Sequence, residues 1–451
     1  MSSTRYRTAP APSKGMPPGI PYIVANEAAE RYSFYGMRAI LVIFMTKYLM
    51  NTEGEVDLMT DEQAKTWFHV FVMAVYSFPI LGAMISDGFL GKYRTIMVLS
   101  IVYCLGHLTL AIDDSRVGLG LGLALIAVGS GGIKPCVSAH VGDQFGRSNA
   151  HLLTKVFGWF YFAINVGALA SILFAEPLLH RFGPSIAFGV PGVLMALATF
   201  VFWSGRNKFV HIPPGGLAFV REVLSPEGLK VLGRLLIIYA FILMFWALFD
   251  QQGSAWVLQA QRMDRHFIVD WDPSQAQWLN PALVLIFIPL FNRVIYPLFD
   301  GFWPLTPLRK ISIGLFLTVP AFLLPAWLEA RLDAGETVNI IWQLGCYIIM
   351  TAAEILISIT ALEFSYTQAP RRMKSVVMGA FFASVAAGNL FTAAVNFFIQ
   401  NPDGSSKLDG PSYYLFFAAA MGVTAILFVP VAVWYKERTY IQDEVPREAA
   451  A

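Results

Sequence analysis

The chain alternates between long apolar segments and short polar or glycine- and proline-rich links. A segment of about 20 apolar residues has the length of a helix that crosses the hydrocarbon core of a bilayer. We identify twelve such segments, at residues 21–50, 64–86, 95–112, 118–140, 155–178, 185–203, 232–259, 275–299, 310–329, 338–366, 375–399 and 412–435. The pattern therefore predicts an all-α membrane protein with twelve transmembrane helices.

The longest polar link lies near residues 204–231 and has six spans on either side of it. This arrangement predicts an N-terminal six-helix bundle over residues 1–204, a linker over 205–231 and a C-terminal six-helix bundle over 232–451. Because the number of spans is even, both ends of the chain are expected on the same side of the membrane.

The composition agrees with a bilayer as the solvent. Of the 451 residues, 56% are hydrophobic and only 14% are charged, against about 25% in ordinary soluble domains. Too few charges remain to cover a water-soluble globule, and the net charge of +2 gives no reason to expect a nucleic acid or another polyanion as partner. The three cysteines lie in apolar segments without metal-ligand spacing, so we expect no metal and no cofactor.

Lysine and arginine are unevenly divided between the two sets of links. Twenty of the 32 lie in the N-terminal segment, the even-numbered links and the C-terminal segment, whereas eight lie in the odd-numbered links and four within spans. Cytoplasmic loops carry the excess of basic residues. The distribution predicts a multi-pass protein of the cell (inner or plasma) membrane with both termini in the cytoplasm. The polar first residues lack the apolar core of a signal peptide, so the first span is expected to act as the targeting signal.

The two halves share a short sequence repeat. The tripeptide Asp87-Gly88-Phe89 follows the second span, and Asp300-Gly301-Phe302 follows the eighth. Two six-helix halves related by a parallel repeat are the organisation of major-facilitator transporters. The first link also resembles the signature of that superfamily, with matching residues at Gly82, Asp87, Gly91, Lys92 and Arg94. A major-facilitator fold is therefore expected.

Charged residues inside the predicted spans carry the functional information. We place eight of them at the depth of the membrane interior: Glu27, Glu30, Arg31, Arg38, Lys134, Asp250, Glu354 and Glu363. Each costs about 2.5–3.5 kcal/mol at the centre of a spanning helix, so we expect them to converge on a wet cavity. With five acids against three bases, one or two acids should hold a proton during part of a working cycle. This imbalance predicts proton coupling.

The first span presents most of these charges on one face. Glu27, Glu30, Arg31, Phe34 and Arg38 follow helical spacing, with Tyr35 beside them. The alternative interpretation is a locally satisfied Glu–Arg pair in an otherwise structural helix.

Charged or titratable residues on other spans leave two interpretations open. Lys134 is either a counter-ion for an acid of the first span or a binder of an anionic group. Asp250 and Glu363 could supply counter-charges from the C-terminal half. His69 is either structural or a group that exchanges protons near neutral pH.

Several ordered motifs resemble the proton-dependent oligopeptide transporter family. Glu27-Ala-Ala-Glu30-Arg31-Tyr32-Ser-Phe34-Tyr35-Gly36 is similar to its ExxERFxYYG stretch, and Phe160-Tyr161-Phe-Ala-Ile-Asn165-Val-Gly167 is similar to its FYxxINxG signature. The other matches are Gly-Gly-Ile-Lys134-Pro-Cys-Val-Ser with Asp143-Gln144-Phe145, Phe245-Trp246-Ala-Leu-Phe-Asp250-Gln251-Gln252-Gly253, and Leu362-Glu363-Phe-Ser365-Tyr-Thr-Gln-Ala-Pro370. The motifs extend through most of the chain.

The resemblance implies a role for each matching residue. It implies proton coupling at Glu27, Glu30, Arg31, Lys134, His69 and Asp250, with Lys134 exchanging salt bridges with the first-span cluster and Asp250 pairing across an outer gate. It implies substrate binding at Tyr35, Arg38, Tyr76, Lys134, Asn165, Trp246, Asn280, Glu363 and Ser365. In that scheme Arg38 and Lys134 hold a peptide carboxylate, and Glu363 holds the peptide ammonium.

Phe34 departs from the family, because a tyrosine usually stands there. Asn292 also departs, replacing an acid that can pair with the position of Arg234, so the cytoplasmic gate could use Arg293 instead.

We therefore expect a proton-coupled symporter, not an enzyme, that imports di- and tripeptides by alternating access as a monomer in the lipid bilayer. One alternative is a carrier of nitrate or another small anion. The other is a membrane-embedded enzyme or a nutrient sensor that does not transport, although no nucleophile–base pair, metal triad or phosphate loop is evident.

Overall fold

The computed structural model describes residues 6–10, 13–146, 148–149, 152–214, 216, 225–368, 374–402 and 405–435. The N-terminal half contains α1 (Ile20–Lys47), α2 (Asp61–Ile85, continued by a π-helical turn at Ser86–Leu90), α3 (Lys92–Ile112), α4 (Arg116–Asp143) and the helical run Leu153–Ser204. That run breaks at Gly183, whose φ of 79° is in the region that favours glycine. It therefore forms α5 (153–182) and α6 (184–204).

The C-terminal half contains α7 (Pro226–Phe249, continued through a 3₁₀ turn at Asp250–Gly253 to Ala255–Gln261) and α8 (Leu279–Leu290, continued through a π-helical turn at Phe291–Ile295 to Tyr296–Asp300). It further contains α9 (Pro307–Asp333), α10 (Ile341–Glu354, a π-helical turn at Ile355–Ile359, then Thr360–Gln368), α11 (Lys374–Ile399) and α12 (Pro411–Trp434). A small hairpin pairs His266–Phe267 with Val269–Asp270 in the link before α8.

These helices are consistent with the twelve predicted spans. Ten helical stretches among the described residues are long and apolar enough to cross a membrane. One of the ten contains most of α5 and all of α6, and α1 is excluded from them because it carries too many charges. The all-α major-facilitator architecture is confirmed.

Local capping explains where some helices depart from the predicted bounds. Helix α2 begins at Asp61, three residues early, because Thr60 and Gln63 form a capping box. Helix α7 begins at Pro226, inside the predicted linker, because the Ser225 hydroxyl accepts a hydrogen bond from the Gly228 amide. The remainder of that linker, and the ends of the predicted bundles, lie partly outside the described residues.

Each half has its own apolar core. One core is built from residues between Ile20 and Phe209 and is joined by Val257, and the other extends from Val231 to Tyr435. Helix α2 packs along α11, and α5 packs against α8 and the turn before it. These contacts place α1, α2, α5, α7, α8, α10 and α11 around the seam between the halves. We call the side of the membrane protein on which α2, α4 and α6 end the near side. The opposite side is the far side.

Glycine allows close packing within the N-terminal half. A Cβ atom on Gly131 of α4 would lie 2.3 Å from the Val75 carbonyl oxygen of α2. A Cβ atom on Gly120, on the same helix, would meet nothing within 4 Å.

We expect Gly131→Ala to lower the melting temperature of the purified protein, because overpacking against backbone costs about 1–3 kcal/mol. Gly120→Ala is the matched control and should leave the melting temperature close to wild type. Equal melting temperatures for both variants would show that α2 and α4 are free to separate at Gly131.

Candidate functional site

A cavity of about 240 Å³ lies at the seam and receives side chains from both halves. It is lined by Tyr35, Arg38, Tyr76, Ile164, Asn165, Ala168, Ile172, Trp246, Phe249, Asp250, Gln252, Gly253, Gln277, Asn280, Pro281, Val284 and Glu354. Aromatic and aliphatic walls with a few convergent polar groups are typical of a small-molecule site. Six of the nine predicted substrate-binding residues line it: Tyr35, Arg38, Tyr76, Asn165, Trp246 and Asn280.

The charges of α1 form a buried cluster beneath this cavity. The Arg31 Nε atom lies 2.7 Å from Glu27 Oε1 and 2.9 Å from Glu30 Oε2. The hydroxyl of Ser130, on α4, donates to Glu30 Oε1 at 2.9 Å. The i,i+4 pair of the structural interpretation does exist, but it is part of a larger group that two helices share. One guanidinium serves two carboxylates, so the cluster has one unit of negative charge when fully ionised.

Lys134 lies next to this cluster without joining it. Its buried Nζ atom has no hydrogen-bond partner among the described residues. It lies 4.2 Å from the ring centroid of Phe34 and 4.3 Å from that of Tyr76. Cation–π contacts stabilise an ammonium, but they supply no hydrogen-bond acceptor for its N–H groups. Phe34 offers no hydroxyl either. The site therefore contains a cation that can accept a carboxylate.

A second buried network joins the halves. Arg38 of α1 forms an ion pair with Asp250 of α7, and the Asn389 amide nitrogen, on α11, donates to Asp250 Oδ2 at 2.7 Å. The Asn389 oxygen lies 2.7 Å from His69 Nδ1, and His69 Nε2 lies 3.0 Å from the Ser254 hydroxyl. Because an amide oxygen only accepts, Nδ1 carries the proton. His69 is fully buried between α2 and α11, so its ring has no contact with solvent.

Further hydrogen bonds join the halves on the far side. The Ser274 amide donates to Glu176 Oε2 at 2.7 Å, and Gln275 Nε2 donates to the Leu173 carbonyl at 2.8 Å. Gln400 Nε2 donates to the Thr60 hydroxyl at 3.1 Å. In this conformation, hydrogen bonds on the far side of the cavity therefore hold the two halves together.

The acidic side chain of α10 that lines the cavity is Glu354. Its Oε2 atom accepts a hydrogen bond from Asn280 Nδ2 at 2.7 Å, and Asn280 also donates to Thr351. Glu363 is exposed and is not among the lining residues. A π-helical turn at Ile355–Ile359 separates the two glutamates along α10. The structure therefore does not bring Glu363 to this cavity.

Sequence comparison identifies the family. The profile described as "POT family" matches residues 93–225 and 217–410. The chain belongs to the POT family, as the motifs predicted. Peptide transporter family 1 of Drosophila melanogaster is 38% identical over 371 residues, which are 72% of this chain and 49% of that protein. Human solute carrier family 15 member 2 is also 38% identical, with 70% and 49% covered. The chain thus spans about half the length of the curated relatives it matches.

Solved POT family structures share the fold. The transporter PepTSo superposes with a TM-score of 0.85 at 35% identity, covering 93% of this chain and 98% of that one. A structure described as an auto-inhibited POT family peptide transporter gives a TM-score of 0.85 at 34% identity, with 95% and 99% covered. POT family proteins are transporters, not enzymes.

Two features of this POT family site differ from the sequence-based expectation. Ser365 is buried away from the cavity, where its hydroxyl accepts from Tyr239 and donates to the Ala361 carbonyl. Glu354 was expected at a wet cavity with the other buried charges but received no substrate or proton role. Asn389 received no role from the sequence, although an amide in an apolar span is costly enough to have marked it.

We expect Asp250→Ala to lower the melting temperature strongly, because it leaves Arg38 as an uncompensated buried charge, at a cost of about 3–5 kcal/mol. The matched control is Asp57→Ala, which breaks the exposed Asp57–Arg116 pair. Water screens that pair, so its loss should leave the melting temperature near wild type. Equal effects from the two variants would contradict a stabilising role for the buried pair.

Proposed function

We propose that the protein is a proton-coupled symporter that imports di- and tripeptides by alternating access, with the peptide bound in the central cavity. The observation that carries the proposal is the charge arrangement of that cavity. Glu354 of the C-terminal half and Arg38 of the N-terminal half line it. The Lys134 ammonium lies behind the lining residue Tyr76 and has no hydrogen-bond partner among the described residues. The names of the matched relatives and the titles of the matched structures, which describe peptide transporters, support the same function.

A short peptide is a zwitterion, and each end needs an opposite charge. We assign its carboxylate to Lys134 and to Arg38. We assign its ammonium to Glu354, which Asn280 already orients. This assignment replaces Glu363, which the resemblance had implied. Asn165, Tyr35 and Tyr76 would supply polar partners to the peptide backbone, and Trp246 an apolar wall. A ligand that contacts both halves favours the conformation in which they are close.

Proton coupling would use the cluster of Glu27, Glu30 and Arg31. Protonation of either carboxylate removes one of the two negative charges that hold Arg31. In the deprotonated cluster, a carboxylate that leaves Arg31 can pair with Lys134, which then cannot bind the peptide carboxylate. The deprotonated carboxylate and the peptide carboxylate thus compete for Lys134, so protonation of the cluster favours peptide binding and the two movements are interdependent.

The buried network of Arg38, Asp250, Asn389, His69 and Ser254 would be the outer gate. Because His69 is sealed in the closed gate, it could exchange protons with water only when the far side opens. We assign the far side to the exterior and both termini to the cytoplasm, following the distribution of basic residues. We further propose that the protein is a monomer in the cell membrane and that protons are its coupling ion, without a cofactor.

Reconstituted into proteoliposomes, the protein should accumulate radiolabelled dialanine when the lumen is alkaline relative to the outside, because protons then move inward with the peptide. A protonophore should abolish accumulation. Unlabelled dialanine should compete with uptake, whereas nitrate should not. Uptake that ignores the proton gradient would refute the coupling, and competition by nitrate would favour an anion carrier. Binding without counterflow would indicate a sensor.

Glu354→Gln should raise the KM for dialanine by roughly tenfold or more, since a hydrogen bond to a charged group contributes about 1.5–3 kcal/mol. N-acetyl-dialanine, which has no ammonium, should be affected much less. Glu363→Gln is the matched control on the same helix and should leave the KM for both peptides near wild type. Equal losses for the free and acetylated peptides with Glu354→Gln would refute its ammonium-binding role.

A further inference from the structure

Three potential metal ligands converge at the far-side end of the seam, outside the central cavity. Glu176 and His180 lie one turn apart on α5, and Asp272 lies in the link before α8. One ligand atom from each lies within 4.8 Å of the others. His180 Nε2 is 3.6 Å from Glu176 Oε1, and His180 Nδ1 is 3.3 Å from Asp272 Oδ1. The first two residues belong to the N-terminal half and the third to the C-terminal half.

The buried carboxylate of Glu176 is held in place and only half satisfied. Its Oε2 atom accepts the Ser274 amide hydrogen at 2.7 Å. Its Oε1 atom, which faces His180, is buried and has no hydrogen-bond partner among the described residues. Glu176 is 0% exposed, and an unsatisfied carboxylate oxygen at that depth is costly. An oriented oxygen of this kind is suited to a cation.

The other two ligands are open to solvent. The side chains of His180 and Asp272 are 37% and 23% exposed, so an ion can enter from the far side. Tyr48 stacks on His180, with ring centroids 6.5 Å apart.

We propose that Glu176, His180 and Asp272 form a binding site for a divalent first-row transition metal, for which Zn²⁺ is the probe, and that the bound ion fastens the two halves together on the far side. Only one imidazole nitrogen can bind the ion, whereas the two short distances involve different nitrogens. With one nitrogen, the three ligand atoms lie within 4.8 Å of one another, and zinc bonds of about 2.0–2.2 Å require them to draw together to about 3.3–3.5 Å. One imidazole and two carboxylates, with solvent completing the shell, favour Zn²⁺ over Mg²⁺, which prefers oxygen ligands.

The site exists only while the halves are together. Asp272 must move away from α5 when the far side opens, and an ion that needs all three ligands then loses one. Zn²⁺ would therefore bind the closed conformation preferentially and shift the population toward it. Binding is independent of the proposed function, whereas the predicted inhibition of peptide uptake rests on it.

Calorimetric titration of the purified full-length protein with ZnCl₂ tests the site. Wild type should bind one Zn²⁺, and His180→Ala and Asp272→Asn should each bind at least about tenfold more weakly. The control is His266→Ala, since His266 forms a comparable pair with Asp270 on the surface, without a third ligand in the part of the chain that the structure describes. It should bind Zn²⁺ as wild type does, and MgCl₂ should give no binding. Unchanged affinity in both site variants, or no binding by wild type, would overturn the proposal.

The second measurement is dialanine uptake with ZnCl₂ on both sides of the proteoliposomes. Zn²⁺ should slow uptake by wild type and His266→Ala, but not by Asp272→Asn, which lacks the ligand from the C-terminal half. Equal inhibition of wild type and Asp272→Asn would show that the ion does not fasten the halves. If wild type takes up no dialanine at all, the proposed function fails, while the calorimetric result still decides the metal site.

Discussion

Charge buried in an apolar medium is the constraint on which this arrangement depends. Such charges are tolerated only when other groups compensate them, and here several of those groups lie on a different helix. Ser130 of α4 supports the acids of α1, while Asp250 of α7 neutralises Arg38. The same ion pair closes one route to the cavity. The proposed transport cycle would therefore have to break and reform the same ion pairs and hydrogen bonds that compensate the buried charges.

Most of the fold follows from the hydrophobic pattern, because a bilayer permits little besides helices of one length. The helix ends depend on caps such as Thr60 and Ser225, which the apolar pattern does not register. Gly183 separates two helices with a single residue, and the sequence reveals a break there only through the glycine and the proline that follows it.

The sequence predicts most of the residues of the site, but it does not predict which of them form ion pairs or hydrogen bonds with one another. Helical spacing placed the acids and bases of α1 on one face, and the structure places them there. Which cation pairs with which carboxylate depends on distances between helices, so Lys134 proved to face two aromatic rings. The choice between Glu354 and Glu363 was not predictable in this way, because the π-helical turn at Ile355–Ile359 changes the relative orientation of the two side chains and the apolar pattern does not reveal it.

The charged face of α1 also bears on how the protein is made. Four charged side chains on one span would cost roughly 10–14 kcal/mol in lipid, and α1 is the helix that fails a simple test of apolarity. Arg31 is compensated within α1, whereas the partners of Glu30 and Arg38 on α4 and α7 lie 100 and 212 residues later in the chain. The stable placement of α1 in the bilayer therefore depends on helices that are synthesised after it.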